Sequence, residues 1–514
     1  MKTYTKLTVL LLALCLLCSA FVACSGDGNE PATTTGAQTG DQATKPQDQK
    51  PEAPDQGEEA LMKPAQNNYD YDFTILTNDN GDASRPNWIY EENKPSGEVI
   101  SNALYHRQQI MEELYGVTLH LKKESDYKTL ITNNASSGDY VFDVSMIPAV
   151  DTIALACKGA YANVLDLDHS LNLEASYWDQ RIQKEYRIND MLFTLEGDFS
   201  YVDEMRTLVV IYNDSIYSMY DYYNTYGSPY SLVENNTWTY SVMMEMIKDM
   251  ADNSNHDDVM NENDTWGMVS ERTAVYYFFL GAGLKTMENN NGELTLLLTD
   301  RTYYQTLYDV IESTLSMAGS PDVIMVNAPG AVSDSSQAWT FASNIFEYDR
   351  ALFRTTTLSA VTRLLDMESD YGILPVPAYF EDQTEYYCWV SGNTAMPMAI
   401  SDNVEDIRVT AEIVERLGYH SRYGSDTLYS AFFDQMAYSR ICRTQDDIKM
   451  LELVMESKTY DLDQVTKITG VEPKLYTLAG NKNFGVLSST MATLVETAES
   501  NLNKYLIEMI AGNT

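Results

Sequence analysis

Tyr71-Asp-Phe-Thr-Ile-Leu-Thr77 is followed by Asn78-Asp-Asn-Gly-Asp82 and then by a helical pattern over residues 97–115, and this order decides the fold. The first stretch alternates apolar and polar residues and is rich in β-formers, which predicts a strand, and the second is a cluster of turn residues. Apolar residues then recur at helical spacing until Gly116. A strand, a turn and a helix in this order begin a β-α-β unit.

The segments that follow repeat this alternation. The predicted strands are residues 117–122, 140–147 and 207–212, and the predicted helices are residues 151–158, 243–250, a turn and helix over 398–417, and 488–510. Strands that alternate with helices predict right-handed β-α-β units on a parallel sheet, whose ligand sites lie at the carboxyl ends of the strands. We therefore expect Asn78 and Asp79, together with the residues after Ile147, at the edge of a pocket.

The composition limits the classes of ligand. The chain has 514 residues and a formal net charge of −41, which disfavours nucleic acids and other polyanions. Tyrosine (37 residues) outnumbers phenylalanine (14), so many of the aromatic rings carry a hydroxyl that suits a polar ligand site. The alternative interpretation is an acidic, tyrosine-rich solvated surface. The length predicts two or more domains.

The N-terminus has the pattern of an export signal. Lys2 and Lys6 precede an apolar run over residues 7–17, which is too short to span a membrane. Phe21-Val-Ala-Cys24 resembles the bacterial lipobox, which implies cleavage before Cys24, acylation of that cysteine and attachment to the extracellular face of the cytoplasmic membrane. An ordinary cleavable signal is the alternative. Residues 1–23 are thus the predicted signal peptide, and residues 24–68 the lipidated cysteine and a disordered tether.

Signatures of catalysis and metal binding do not occur in the sequence. Cys157, Cys388 and Cys442 are scattered and odd in number, which argues against a disulfide framework and a zinc site. The chain has no H-E-x-x-H, G-x-S-x-G or G-x-x-x-x-G-K-[ST] motif. The loop over residues 257–267 is rich in Asp and Asn, but two apolar residues interrupt the ligand positions of a calcium loop. We therefore predict no enzyme activity, no cofactor and no metal.

Six short motifs occur in a fixed order along the body. They are Met111-Glu-Glu-Leu-Tyr-Gly-Val-Thr-Leu119, Phe142-Asp-Val144, Leu165-Asp-Leu through Tyr177-Trp-Asp179, Val210-Ile-Tyr-Asn213, Asn236-Thr-Trp238 and Asp370-Tyr-Gly-Ile-Leu-Pro-Val-Pro377. In this order they resemble the bacterial extracellular solute-binding proteins of family 1, the lipoprotein receptors of ABC importers. The resemblance covers residues 70–510.

The resemblance implies an α/β fold of the two-lobed, periplasmic-binding-protein-like (type II) class, each lobe a mainly parallel sheet flanked by helices. It places residues 69–211 and 345–395 in lobe 1 and residues 212–344 and 396–514 in lobe 2, with hinges near 212–213, 343–346 and 395–399. It implies a monomeric receptor that captures a neutral solute, foremost a sugar or oligosaccharide, and delivers it to ABC permease subunits.

Sugar recognition combines aromatic faces with short polar side chains, and this guides the choice of candidate ligand residues. Trp339 and Trp389 lie in polar surroundings, whereas Trp178, Trp238 and Trp266 lie in motifs that indicate core packing. Arg354 and Thr355 form a polar cluster before a predicted strand, with a helix cap and a surface arginine as the alternative. Asp198 follows a strand and a glycine, and a solvated turn is the alternative there.

Other functions stay open at this point. The same fold serves oligopeptide receptors and sensor receptors, although no charge cluster for peptide termini is evident in the sequence. A surface glycoside hydrolase or an adhesin is a further alternative, since some of the 75 acidic residues must lie close together.

Overall fold

The computed structural model describes residues 56–79, 89–92 and 97–513. The predicted signal peptide, Cys24, most of the predicted tether and Trp88 lie outside these residues. The described residues belong to one compact unit, Pro54–Thr514. No helix among them is long and apolar enough to cross a membrane.

The described elements alternate between strands and helices over most of the chain. The strands are β1 Tyr71–Asn78, β2 Val117–Glu124, β3 Val144–Met146, β4 Leu208–Asn213, β5 Trp266–Ser270, β6 Glu288–Asn290, β7 Glu293–Thr295, β8 Val323–Met325, β9 Ala351–Thr357, β10 Tyr371–Leu374, β11 Cys388–Trp389, β12 Met398–Ile400 and β13 Lys458–Thr459. The longer helices are Val99–Tyr115, Tyr127–Ser137, Ala149–Ala156, Ala274–Gly281, Arg301–Ala318, Ala338–Glu347, Ile407–Arg422, Gln445–Glu456, Val471–Asn481 and Leu487–Gly512. The shorter helices are Gln56–Met62, Gln180–Glu185, Val202–Arg206, Asp214–Met219, Tyr222–Thr225, Pro229–Glu234, Tyr240–Met246, Leu358–Val361, Leu428–Ser430 and Leu462–Thr466, and Ala431–Ile441 is a π-helix.

The first sheet has the strand order β12-β3-β1-β2. β1 pairs in parallel with both β2 and β3, as the alternation of strands and helices predicts, and β12 runs antiparallel to β3. β3 is shorter than predicted, and it begins directly after the carboxylate of Asp143. This carboxylate accepts hydrogen bonds from the hydroxyls of Tyr71 (2.7 Å) and Tyr140 (2.8 Å) and from the backbone N–H of Thr74 (2.7 Å).

The second sheet has the strand order β10-β4-β9-β5-β8. β5 is parallel to β8 and β9, whereas β4 is antiparallel to β9 and β10. The prediction of a mainly parallel sheet thus holds for the first lobe, while the second lobe has a mixed sheet. The two sheets with their helices form a two-lobed α/β fold, which confirms the predicted fold class.

The sheet membership differs from the predicted division into lobes. Residues 345–395 were assigned to lobe 1, but they contain β9 and β10, which flank β4 in the second sheet. The ladder that joins Leu208 to Thr357 and Tyr212 to Phe353 holds them there. β12, assigned to lobe 2, lies in the first sheet. Residues 343–346, a predicted hinge, lie inside the helix Ala338–Glu347, so the chain does not cross between the lobes there.

The end of the predicted tether also differs from the prediction. Residues 56–62 form a helix, and Glu58 accepts a hydrogen bond from the backbone N–H of Ser176 (3.0 Å). The guanidinium of Arg416 donates to the carbonyl of Ala65 (3.0 Å). The low apolar content of this stretch predicted disorder, whereas Met62 packs against the core. Residues 58–68 are therefore attached to the first lobe.

Candidate ligand-binding cleft

The crossings between the lobes enter both sheets at corresponding edges. β4 follows a crossing from the first lobe, and its first residue, Leu208, pairs with Thr357 at the carboxyl end of β9. β12 follows the return crossing, and its first residue, Met398, pairs with Met146 at the carboxyl end of β3. The carboxyl ends of the parallel strands in both sheets therefore face the junction between the lobes. This is the edge where α/β folds bind ligands.

The edge of the first lobe presents polar groups after each parallel strand. Asn78 ends β1, and the backbone N–H of Asp79 donates to the carbonyl of Glu124 at the end of β2 (3.0 Å). Beyond β3, Asp151 accepts a hydrogen bond from the hydroxyl of Tyr127 (2.6 Å) and pairs with the amine of Lys128 (2.7 Å). Asn78 and Asp79 thus lie at the edge where the sequence places them.

The edge of the second lobe brings three of the candidate residues together. Arg354 lies in β9 and is 4% exposed, and its guanidinium donates to the hydroxyl of Ser343 (3.2 Å). Ser343 in turn donates to the backbone carbonyl of Trp339, one helical turn earlier (3.2 Å). Trp339 is 49% exposed. Thr355, the next residue in β9, shares a hydrogen bond with Ser270 at the end of β5 (2.5 Å).

The carboxyl of Glu271, which was not predicted from the sequence, lies at the same edge. Glu271 directly follows β5 and accepts a hydrogen bond from the hydroxyl of Thr273 (3.2 Å). Burial raises the pKa of Glu271 to about 7, although Arg354 and Thr273 oppose the change. Burial also lowers the pKa of Arg354 to about 10, and Glu271 opposes that change. No motif marks Glu271, because its environment is created by strands that are distant in sequence.

Asp198 and Trp389 lie elsewhere, in contacts that hold the fold together. Asp198 pairs with the guanidinium of Arg422 (2.8 Å) and accepts from the hydroxyl of Tyr201 (3.2 Å). Trp389 is 1% exposed and packs against the rings of Tyr276 and Tyr277, with centroid distances of 5.5 and 4.9 Å. A ligand role for these two residues stays a prediction. The predicted packing role of Trp178, Trp238 and Trp266 is confirmed, because all three are buried.

A buried ion network joins the segments at the lobe junction. The amine of Lys458 lies 2.9 Å from Asp179, 2.8 Å from Asp203 and 2.5 Å from Glu204. Tyr460 donates a hydrogen bond to Asp203. Because Asp179 precedes the helix Gln180–Glu185 while the other two acids lie in Val202–Arg206, one lysine holds three segments together.

A cavity of about 290 Å³ lies beside this network, and we call it the junction cavity. It is lined by Arg181, Lys184, Glu185, Leu280, Gly283, Leu284, Lys285, Tyr387, Lys458, Thr459 and Tyr460. The helix Gln180–Glu185 belongs to the first lobe, since the adjoining strand segment pairs Leu195 with Met398 of β12. Leu280 lies in the last turn of the helix Ala274–Gly281, which follows β5 of the second lobe. Both lobes therefore contribute walls.

Contacts between the lobes close one side of the junction cavity. The amine of Lys285 pairs with Glu185 (2.6 Å), and the amide of Asn289 donates to the carbonyl of Glu185 (2.7 Å). At the turn between β6 and β7, Gly292 has φ of +96°, and a Cβ there would lie 2.0 Å from the carbonyl oxygen of Asn189. The β6–β7 hairpin thus docks closely on the first lobe.

The described residues contain no group of three or more His, Cys, Asp or Glu side chains that could hold a metal ion. The charged groups at the strand ends and in the junction cavity are instead arranged to form hydrogen bonds. A ligand between the lobes would meet the aromatic and polar groups around Arg354 on one side.

Comparison with known proteins identifies structures with a similar fold. No family model matches the chain, and no curated protein matches it. Among solved structures, the chain is similar to the ABC substrate-binding protein Lmo0181 from Listeria monocytogenes, determined in complex with cycloalternan. The two share 12% sequence identity with a TM-score of 0.51, over 83% of this chain and 98% of that one. The chain therefore has the two-lobed fold of an ABC substrate-binding protein.

Proposed function

We propose that the protein is the solute-binding receptor of an ABC importer, attached through lipid on Cys24 to the extracellular face of the cytoplasmic membrane. It captures a neutral solute, a sugar or oligosaccharide, between its two lobes and delivers it to a permease. The observation that carries this proposal is that the carboxyl ends of the parallel strands in both lobes face the junction. The oligosaccharide in the similar Listeria protein supports the choice of solute.

Arg354 and Trp339 are the ligand residues that we propose first for the second lobe. A sugar ring packs its apolar face on an aromatic ring and directs its hydroxyls to polar groups. Trp339 supplies an exposed ring, and Arg354 has Ser343 as its hydrogen-bond partner among the described residues. A guanidinium has five N–H donors, which is more than one hydroxyl can accept, so Arg354 has donors left for a solute. Asn78 and Asp79 would contact the solute from the first lobe.

Closure of the lobes follows from binding at this place. A ligand shifts the population toward a closed form only if it contacts both lobes in that form. The strand-end groups of the two lobes provide such contacts. The closed receptor then presents one defined surface to the permease, while the tether keeps it near the membrane.

The test is thermal unfolding of the full chain in detergent against neutral mono- and oligosaccharides, polyols and peptides. A true solute at about a hundred times its dissociation constant adds about 2.7 kcal/mol to the free energy of unfolding. We expect stabilisation by one family of oligosaccharides and its loss in Arg354→Gln. Stabilisation by peptides alone would indicate an oligopeptide receptor, and cleavage of the glycans would indicate a hydrolase.

A further inference from the structure

The lining of the junction cavity is rich in basic residues, unlike the chain as a whole. Acidic residues outnumber basic ones by 75 to 34 in the sequence, yet four of the five charged residues that line the cavity are basic. They are Arg181, Lys184, Lys285 and Lys458. The exposure of their side chains falls from 40% at Arg181 to 3% at Lys458, so the positive charge extends from the rim to the floor.

Two of the four cations keep hydrogen-bond donors for a ligand. The amine of Lys458 already contacts three carboxylates, and Arg181 binds Asp179 and the carbonyl of Met455. Lys285 donates to Glu185 and to the carbonyl of Tyr460 (3.2 Å), which leaves one of its three N–H groups. Lys184 is exposed at the rim and pairs with no carboxylate of the described chain.

Several acidic side chains lie beside the cations of the cavity. Asp179 and Asp203 are ionised, since Lys458 lowers the pKa of both although burial opposes it. Burial and the neighbouring acids raise the pKa of Glu204 well above its ordinary value, and also that of Glu196, whose two buried oxygens lack a hydrogen-bond partner in the described chain. Asp179 pairs with Arg181 and Lys458, and Glu185 pairs with Lys285. Lys184 is therefore the basic residue of this lining that has no carboxylate partner among the described residues.

The remaining lining suits the face of a small ring. Leu280 and Leu284 are apolar, and the ring of Tyr387 lies so close to Gly283 that a Cβ there would be 2.7 Å from it. A volume of about 290 Å³ is at the small end of ligand pockets, near 300 Å³, and fits a single sugar unit. A ligand in this space would touch walls from both lobes.

We propose that the junction cavity binds one carboxylate-bearing sugar unit, whose carboxylate lies between the amines of Lys184 and Lys285 and whose ring packs on Tyr387 and the two leucines. This rests on the proposed receptor function, but it replaces the neutral solute by an acidic sugar or an oligosaccharide with one acidic unit. A charge-assisted hydrogen bond between a carboxylate and an amine favours the acidic sugar over its neutral counterpart.

The experiment measures binding by calorimetry on the full chain in detergent, with glucuronate and galacturonate as probes and glucose and galactose as their neutral counterparts. We expect a uronate to bind at least about tenfold more tightly than its neutral sugar. Lys184→Gln should weaken uronate binding by about the same factor, and Lys184→Arg should retain it. Lys184 is exposed, so neither variant should alter the fold.

The matched control is Lys248→Gln, an exposed lysine outside the cavity, which should leave uronate binding unchanged. Absence of uronate binding, equal binding of the neutral sugars, or an equal effect of Lys184→Gln and Lys248→Gln would each overturn the acidic-sugar site. Neutral oligosaccharides that stabilise the chain in the thermal test would in that case leave the receptor function standing. The two proposals can therefore fail separately.

Discussion

Lys458 and Arg354 are both buried cations, with 5% and 4% of their surface exposed, but their surroundings differ. The amine of Lys458 touches three carboxylates, whereas Arg354 donates to one neutral hydroxyl among the described residues. The pKa of Lys458 is raised well above its ordinary value by Asp179, Asp203 and Glu204, against the effect of burial. The pKa of Arg354 is lowered to about 10 by burial.

This contrast separates a structural charge from one suited to a ligand. A buried charge with a full set of partners holds segments in place. Removal of one partner leaves the remaining charges buried without compensation, which destabilises the fold. A buried charge with few partners already bears that cost, and a ligand can supply the bonds that it lacks. Lys458 therefore belongs to the frame of the lobe junction, and Arg354 to the proposed solute site.

The largest expected effect is the loss of stability in Lys458→Met. This change leaves Asp179 and Asp203 buried without their cation, which costs about 3–5 kcal/mol of the free energy of unfolding. Urea unfolding at neutral pH measures it. The control is Lys449→Met, which removes a lysine 59% exposed and paired with Asp446, and should cost at most about 1 kcal/mol. Equal losses in the two variants would mean that Lys458 contributes no more to stability than an exposed lysine.

A smaller effect, dependent on pH, is expected at Glu271, the carboxyl near Arg354. The unfolded chain releases this proton near the ordinary pKa of 4.5, while the native protein retains it up to about 7. Stability therefore falls as the pH rises through this window, by about 3 kcal/mol at 1.36 kcal/mol per pH unit. Glu271→Gln has no proton to release, so its stability should exceed that of the parent increasingly from pH 4.5 to 7.

Urea unfolding at a series of pH values tests this, with Glu499→Gln as the control because Glu499 is exposed on the last long helix. We expect the difference between the control and the parent to stay constant with pH. If Glu271→Gln behaves like the control, then Glu271 is not buried in its neutral form, and the charge that faces Arg354 at neutral pH is a full carboxylate.

Local pattern was enough to predict the beginning of the first lobe. β1, β2 and the helix between them lie where alternation and helical spacing place them, since each is set by neighbours in sequence. Arg354 and Thr355 were chosen as a polar cluster before a predicted strand, but they lie within β9, and a ligand role for them stays a prediction. Trp339 was chosen as a candidate ligand residue for its polar flanks, and the structure shows that it is 49% exposed.

The rest depends on pairings that no local pattern carries. Lys458 and Asp203 are 255 residues apart, so the network at the junction cannot be inferred from either segment. Trp389 has polar neighbours in sequence, but in the fold it packs on Tyr276 and Tyr277. The predicted division into lobes was misplaced because the strand order of a mixed sheet follows from hydrogen bonds between strands. The sequences of β9 and β10, taken alone, fit a strand of either lobe.

The smallest expected effect is the loss of stability in Arg354→Met. Methionine keeps much of the packing of the arginine stem, and the change removes one hydrogen bond to Ser343, worth about 1 kcal/mol, together with the cost of a buried charge. We expect the free energy of unfolding to change by at most about 1 kcal/mol at pH 5, where Glu271 is neutral. Above pH 7 the loss should be larger, because the variant lacks the positive charge that offsets the ionised carboxylate of Glu271.

Urea unfolding at the two pH values measures both quantities, and Arg354→Met in the Glu271→Gln background should remove the dependence on pH. A loss at pH 5 as large as that of Lys458→Met would mean that Arg354 is as structural as the lysine, and the solute site would then have to be sought at other residues.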